Sequence, residues 1–384
     1  MLLKKKRYIY VVLLLLLTIL SNNVFAVEKE ELKITSKAGV VLEQSTGRVL
    51  WEKNSKEKLK IASTTKILTA IVVVANIDLD SKVVISKKAA LTGGSTVGLV
   101  SGKEVTVKSL LYGLLLKSGN DCAVALAEHV GGNVDEFVNM MNKKAYEIGA
   151  KDTHCTNPHG LDTEDNYSTA YDIAKITCYA KNIDIISKIM NTESITVNFG
   201  NTAKFLANTN RLLTTYEYCN GGKTGYTAIA NRCLVATAKK DNLQVVAVIL
   251  GANTTDIRYK EGKELLKYAI ENYSMVDMKS IAKYYVSVNT IKGICGSYTD
   301  NSSVDICIPL KTGELEKVRV KQDIITEIKA PLNIGDFMGN VSLYIGEEMV
   351  YSKDIYAKYS IRKKGVKDYI ILALMGMFQN DSID

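Results

Sequence analysis

The chain has 384 residues, 47% of them hydrophobic, and a formal net charge of +8. This length can bury a sizeable core and form more than one domain. The charge is too small to indicate a nucleic-acid partner. The seven scattered cysteines form no CxxC pair, only three histidines are present, and no GxGxxG or Walker loop occurs. The sequence therefore predicts no disulfide framework, no metal and no other cofactor, and most cysteines are expected to be buried thiols.

The first 26 residues are typical of a signal peptide. A basic run, Lys4–Arg7, precedes the apolar stretch Tyr8–Leu20 and a small-residue cleavage site that ends at Ala26. Removing this leader lowers the net charge to +4. An uncleaved membrane anchor is the alternative, but the apolar stretch is shorter than the roughly 20 residues that a span needs. Export to the extracytoplasmic face of the cell membrane or to the cell wall is predicted.

The mature chain begins with a predicted β-hairpin over Val40–Trp51, followed by an apolar helix from Ile67 onwards. Ser63 lies at the N-terminal end of this helix, and Lys66 follows three residues later. Helical spacing places positions i and i+3 on one face, so the hydroxyl and the amine are expected to lie side by side. This pairing gives a weak alcohol nucleophile a base.

A helical block follows, and the strand pattern then returns. Helices are predicted over Val107–Lys117, Asp121–His129 and Val134–Ile148, with a break at Ser118-Gly119-Asn120. A second hairpin is predicted over Arg232–Leu250, and a helix from Asp256 to about Tyr273 completes the unit. Residues 27–274 are therefore predicted to be one α/β domain, a sheet with covering helices and a helical insertion.

Residues 275–361 have a different sequence pattern. Short runs in which apolar and polar residues alternate, such as Tyr284–Val288 and Val341–Ile345, are typical of strands. They predict a small all-β domain. The tail, 362–384, carries four basic residues and then the apolar run Tyr369–Phe378. Ten apolar residues cannot span a bilayer, but a short apolar element behind a basic cluster can lie among lipid headgroups. A terminal element docked on the β-domain is the alternative.

Short motifs recur in this lysine-rich chain, so their context has to decide which of them matter. S-x-x-K occurs four times, S-x-N three times, at Ser21, Ser118 and Ser287, and K-T-G twice, at Lys223 and Lys311. The other copies lie in a charged run, in the leader, or in and after the β-domain. Only Ser63, Ser118 and Lys223 fall together in the large domain. Ser63 lies at the start of a predicted helix, Ser118 at a break between two helices, and Lys223 at the start of a predicted edge strand.

These residues are suited to acyl transfer without a metal or cofactor. Ser63 can attack a carbonyl, and Lys66 can take its proton if burial keeps the amine neutral. Ser118 can relay a proton to a leaving amine, and Asn120 can position Lys66 or a substrate amide. Backbone N–H groups of Ser63 and Tyr226 can hold an oxyanion. On the predicted strand that contains K-T-G, Lys223 and Thr224 are suited to bind a substrate carboxylate. Gly225 would let the substrate backbone lie flat along this strand.

The sequence resembles the low-molecular-mass penicillin-binding proteins that are serine D-alanyl-D-alanine carboxypeptidases. The segments that carry the resemblance are Ala62-Ser63-Thr64-Thr65-Lys66, Ser118-Gly119-Asn120-Asp121, Asn157-Pro158-His159-Gly160-Leu161 and Lys223-Thr224-Gly225-Tyr226-Thr227. Their order, spacing and flanks all agree, and the likeness covers nearly the whole mature chain. Two departures, Ile61 where relatives have proline and Asn166 where many have histidine, carry none of the proposed chemistry.

The resemblance implies an activity and a set of partners. Ser63 would be acylated by the penultimate D-alanine of a peptidoglycan stem peptide ending in D-Ala-D-Ala, with Lys66 as base. Arg258 falls where the family uses an arginine to receive the terminal carboxylate. β-Lactams would acylate Ser63, and the basic-apolar tail would lie at the membrane surface. His159 is expected to have a capping or core role instead of a catalytic one.

Three alternatives remain. A class A β-lactamase needs a deacylating glutamate, typically in an E-x-x-L-N segment, and none lies between Ser118 and Lys223. A catalytically silent wall-binding receptor would not need the paired nucleophile and base. A third, weaker reading has the β-domain docking one protein partner that the enzyme serves.

Overall fold

The computed structural model describes residues 32–379, so the predicted signal peptide lies outside the described residues. Between residues 32 and 272 the strands are β1 (Ala38–Glu43), β2 (Val49–Lys53), β3 (Lys82–Val84), β4 (Glu104–Thr106), β5 (Ser194–Phe199), β6 (Thr202–Ala207), β7 (Cys219–Thr227), β8 (Asn231–Lys240) and β9 (Leu243–Ala252). The helices of this stretch are α1 (Lys66–Asn76), α2 (Lys87–Ala90), α3 (Val107–Leu115), α4 (Asn120–Gly131), α5 (Val134–Ile148), α6 (Ala170–Lys181), α7 (Asp184–Asn191), α8 (Leu212–Thr215) and α9 (Thr255–Asn272).

Five strands form one antiparallel sheet in the order β2-β1-β9-β8-β7. Both predicted hairpins, β1–β2 and β8–β9, are confirmed. All but one of the β9 residues are buried, as expected for an apolar strand in the middle of a sheet that is covered on both faces. β7 lies at the edge, which leaves one side of that strand available to a ligand.

The chain between β2 and β7 forms the helical layer and two small two-stranded sheets, β3–β4 and β5–β6. Helices predicted over Val107–Lys117, Asp121–His129 and Val134–Ile148 are confirmed as α3, α4 and α5, and α5 has the predicted bounds. α1 is buried over its first eight residues, because most of its side chains are apolar. Apolar side chains from this layer and from the sheet share one core. The α/β fold is thus confirmed.

After α9 the chain is built mainly from strands. They are β10 (Tyr273–Asp277), β11 (Lys283–Ile291), β12 (Ser297–Ser303), β13 (Cys307–Lys311), β14 (Val318–Ile324), β15 (Glu327–Lys329), β16 (Phe337–Ile345) and β17 (Glu348–Tyr356). They pair into small sheets around a second apolar core, whose members include Val286, Tyr298 and Leu343. A boundary between two domains near residue 275 stays a prediction, and the separate cores agree with it.

An ion pair links the sheet to the all-β region. The buried Arg48, in the turn between β1 and β2, donates to both carboxylate oxygens of Glu314 at 2.9 and 3.0 Å and to the carbonyl of Pro309 at 2.6 Å. In the tail, α10 (Val366–Gln379) follows the basic cluster, and its side chains from Tyr369 to Leu372 are about half exposed. Within residues 32–379, no helix is both long and apolar enough to cross a membrane.

Candidate active site

Ser63 lies in a turn of 3-10 helix, Ala62–Thr65, and Lys66 is the first residue of α1. In a 3-10 turn the side chains at i and i+3 eclipse each other. The Lys66 Nζ accordingly lies 2.7 Å from the Ser63 Oγ. The predicted serine–lysine pair is therefore brought together, although by a tighter turn than the α-helix assumed from the sequence. Ala62, just before the serine, has a positive φ of 48°, an unfavourable conformation for a residue with a Cβ.

The Lys66 side chain has no exposed surface, and its Nζ makes two further hydrogen bonds. They run to the Asn120 Oδ1 at 2.7 Å and to the carbonyl of His159 at 2.8 Å. Neither acceptor carries a charge to offset an ammonium ion. Burial, and secondly the nearby Lys223, lower the pKa of Lys66 well below its usual range. A neutral amine at this position can accept the serine proton.

The segment Ser118-Gly119-Asn120 forms the predicted break between α3 and α4. Ser118 has a φ of 65° and is nearly buried, and Asn120 is the first residue of α4. The Asn120 Nδ2 donates to the carbonyl of Gly93 at 2.7 Å, which leaves its Oδ1 directed at Lys66. The adjoining Asp121 accepts backbone N–H bonds from Val97 and Leu99 at 3.0–3.1 Å. This loop is thus fixed against the helices that carry the break.

Lys223, Thr224 and Gly225 lie on the edge strand β7, next to the serine turn. A Cβ added to Gly225 would lie 3.0 Å from the Ile61 carbonyl oxygen and 3.1 Å from the Ser63 backbone nitrogen. A side chain here would be crowded, so glycine favours this close approach. The approach brings the Ser63 N–H to the strand that carries Tyr226, the second predicted oxyanion donor.

Lys223 is fully buried, and its Nζ donates to the carbonyl of Thr224 at 2.8 Å. Burial, and then the charge of Arg258, lower the pKa of Lys223 to about 7. Arg258, on α9, is 8% exposed and donates from Nη1 to the Gly225 carbonyl at 3.4 Å. Within residues 32–379 no carboxylate forms a salt bridge with Lys66, Lys223 or Arg258. The lack of a carboxylate partner beside Lys223 and Arg258 suits this end of the site to an anionic ligand.

The segment Asn157–Gly160 contributes a backbone group that the sequence did not reveal. Besides Lys66, the His159 carbonyl accepts a hydrogen bond from the Ser63 Oγ at 3.3 Å. Gly160 has a φ of 84°, and a Cβ there would lie 1.9 Å from the Ala62 carbonyl oxygen. The Asn157 Oδ1 caps this turn by accepting from the Gly160 N–H at 2.7 Å. Burial, and secondly Lys66, lower the pKa of His159 to about 4, so its ring is neutral at pH 7.

Thr209 is a second residue that sequence reasoning missed. Its hydroxyl accepts from the Thr224 Oγ1 at 2.7 Å, beside the face of β7 that is available to a ligand. The described part of the chain contains no group of three or more His, Cys, Asp or Glu side chains arranged to hold a metal. Five of the seven cysteines are buried and all are free thiols, as the sequence predicted for most of them.

A scan against family models matches residues 23–254 to the D-alanyl-D-alanine carboxypeptidase family Peptidase_S11. Among curated proteins, the chain is similar to the D-alanyl-D-alanine carboxypeptidase DacF of Bacillus subtilis. The two are 36% identical over 342 residues, which cover 87% of this chain and 88% of DacF.

Among solved structures, the chain is similar to penicillin-binding protein 5 of Haemophilus influenzae, with a TM-score of 0.76 and 28% identity over 86% of this chain and 98% of that one. A Streptomyces DD-transpeptidase is also similar, with a TM-score of 0.60 and 32% identity. That likeness covers 63% of this chain and all of the other.

Proposed function

The chain belongs to the D-alanyl-D-alanine carboxypeptidase family and is a serine carboxypeptidase of the low-molecular-mass penicillin-binding protein type; from this premise we propose that Ser63 is its nucleophile and Lys66 its general base. The observation that carries the proposal is the 2.7 Å contact between the Lys66 Nζ and the Ser63 Oγ, with the lysine fully buried. A buried amine without a carboxylate partner favours its neutral form, which a base requires.

The reaction proceeds in two acyl-transfer steps. The Ser63 Oγ attacks the carbonyl carbon of the penultimate D-alanine, while Lys66 takes the hydroxyl proton. The C–N bond then breaks, and the departing D-alanine amine receives a proton relayed through Ser118. Water hydrolyses the Ser63 ester and restores the free hydroxyl. The oxyanion is held by the N–H groups of Ser63 and Tyr226.

The remaining site residues bind and orient the stem peptide. Asn120 fixes the Lys66 amine and faces the substrate amide. The peptide lies along β7 at Gly225, where no side chain obstructs the backbone. Its terminal carboxylate is received by the cationic end of the site, formed by Lys223, Thr224 and Arg258. The absence of a protein carboxylate beside these cations, within the part of the chain that the structure describes, supports this role.

We further propose that the enzyme is exported, matures the cell wall and is acylated by β-lactams at Ser63. Export follows from the leader sequence at 1–26. β-Lactams combine a strained amide with a carboxylate, the two groups to which this site is complementary. Attachment of the tail to a membrane surface is supported by exposed apolar side chains of α10, which follow the basic residues Arg362, Lys363, Lys364 and Lys367.

Release of D-alanine from an acyl-Lys-D-Ala-D-Ala peptide by the purified chain tests the proposal. Wild type is expected to release D-alanine, and Ser63→Ala is expected to release none. The matched control is Ser55→Ala, which alters another S-x-x-K serine, one that bonds to Glu52 instead of to a lysine. Equal release by wild type and Ser63→Ala would refute the nucleophile. No release by either would favour a silent receptor or a β-lactamase, which hydrolysis of a β-lactam would then separate.

A further inference from the structure

Arg258 has less support from hydrogen bonds than a buried cation usually has. Its one hydrogen bond to the backbone, from Nη1 to the Gly225 carbonyl, is 3.4 Å long, beyond the usual range for N–H···O bonds. Its Nε is buried and has no partner within residues 32–379. A buried charge in this position is costly unless another group stabilises it. The structure therefore has to hold this guanidinium by some other contact.

The neighbouring residue on α9, Tyr259, supplies that contact. Its ring centre lies 4.6 Å from the Arg258 Cζ and 5.6 Å from the Cζ of Arg211, close enough for cation–π attraction to both. The Tyr259 hydroxyl donates to the Thr209 carbonyl at 2.5 Å. Thr209 in turn accepts from the Thr224 hydroxyl at 2.7 Å. Tyr259 thus connects Arg258, through its ring, with the Thr224 hydroxyl on β7, through Thr209.

We propose that Tyr259 is a positioning residue that makes the site selective for peptides ending in a free carboxylate. The inference rests on the proposed function, since it assigns Arg258 and Thr224 to that carboxylate. Tyr259 itself touches no reacting atom. Its ring fixes the guanidinium of Arg258, and its hydroxyl fixes the Thr209 segment and through it Thr224. The two residues that bind the carboxylate therefore keep their positions relative to Ser63. Consecutive helix residues do not usually face each other, so the Arg258–Tyr259 contact is a specific arrangement.

The two parts of the tyrosine can be removed separately. Tyr259→Phe keeps the ring and loses the bond to Thr209. Tyr259→Leu loses both. Tyr268→Phe is the matched control, because Tyr268 lies on the same helix and its hydroxyl accepts from Lys311, in the all-β region.

The readout is the ratio of kcat/KM for acyl-Lys-D-Ala-D-Ala to that for the same peptide with a C-terminal amide, measured on the full chain. Wild type is expected to prefer the peptide with the free carboxylate. Tyr259→Leu is expected to lower this ratio about tenfold, with the amide rate nearly unchanged. Tyr259→Phe is expected to lower it about threefold, and Tyr268→Phe is expected to leave it unchanged.

Different failures of this experiment have different meanings. If the Tyr259 variants lose activity equally on both peptides, or keep the wild-type ratio, the positioning role is wrong and the proposed function stands. If wild type does not prefer the free carboxylate, the assignment of Arg258 is wrong as well. If wild type cleaves neither peptide, the proposed function itself fails.

Discussion

The chain contains the tripeptide Lys-Thr-Gly twice, and the two copies lie in contrasting environments. Lys223 is fully buried in the edge strand of the main sheet, and Gly225 lies against the backbone of Ser63. Lys311 ends β13 in the all-β region and is partly exposed. A Cβ added to Gly313 would meet nothing within 4 Å.

This contrast shows that the tripeptide acquires a chemical role from its surroundings. Only at 223–225 do burial, a neighbouring serine–lysine pair and the buried Arg258 act on the same residues. The wider regions differ in the same way. The first part of the chain buries Lys66, Lys223 and Arg258, whereas beyond residue 275 the buried polar side chains of the described chain are Thr290 and Ser342. Burying an ionisable group is costly, so a cluster of buried amines and a guanidinium without carboxylate partners is typical of a functional site.

Replacing the lysine of each copy in turn should give the largest difference in activity between the two copies. Lys223→Met is expected to lower kcat/KM for D-alanine release by about 10²–10³-fold, because it removes a preorganised charge from the site. Lys311→Met is expected to change kcat/KM by less than about twofold, because Lys311 lies outside the site. Steady-state kinetics of both variants checks this. Similar losses for both, or no loss for Lys223→Met, would remove the distinction between the copies.

Adding a methyl group to each glycine gives a smaller contrast. Gly225→Ala is expected to lower kcat by about tenfold or more, because its Cβ would crowd the Ile61 carbonyl and displace the serine turn. Gly313→Ala is expected to keep kcat and to destabilise the fold by about 1 kcal/mol, because its φ of 84° disfavours a Cβ. Kinetics and urea unfolding measure the two effects. The contrast fails if Gly313→Ala loses activity and Gly225→Ala retains it.

The pH dependence of stability gives the finest comparison. The pKa of Lys223 is about 7 in the folded chain, against about 10.4 for an unfolded lysine. Between these values the unfolded chain binds a proton that the folded chain lacks, so this group's contribution to the free energy of unfolding rises with pH. Below about pH 7 both states are protonated, and the contribution is constant.

Wild type should therefore gain stability relative to Lys223→Met between about pH 7 and about pH 10, as measured by urea unfolding. The same subtraction with Lys311→Met controls for the loss of a lysine elsewhere. A constant difference between wild type and Lys223→Met across this range would show that Lys223 keeps an ordinary pKa.

Local patterns were sufficient to predict much of the fold. The bounds of α5 follow from a period of apolar residues that ends at Gly149, and the β8–β9 hairpin follows from two apolar runs around Asp241-Asn242. Helices α6 and α7 and the β5–β6 hairpin were not predicted. These elements are short or mixed in pattern, and their positions depend on packing against the sheet.

The same limit applies to the site. The pair Ser63 and Lys66 is close in sequence, and its spacing predicts contact. The His159 carbonyl and the Thr209 hydroxyl reach the site only through tertiary structure. A backbone carbonyl has no residue identity, and a lone threonine has no distinguishing neighbours. Gly160 was the available signal, because a residue that cannot bear a Cβ often marks a close backbone approach.

The most direct test of the Ser63–Lys66 pair is to locate the acyl group on the protein. The full chain is treated with benzylpenicillin, digested and mapped by mass spectrometry, alongside Ser63→Ala and Lys66→Met. The pair predicts one penicilloyl adduct on the peptide containing Ser63, none in Ser63→Ala, and labelling slowed by about 10²-fold or more in Lys66→Met. An adduct on another serine, or undiminished labelling of Ser63→Ala, would contradict the account.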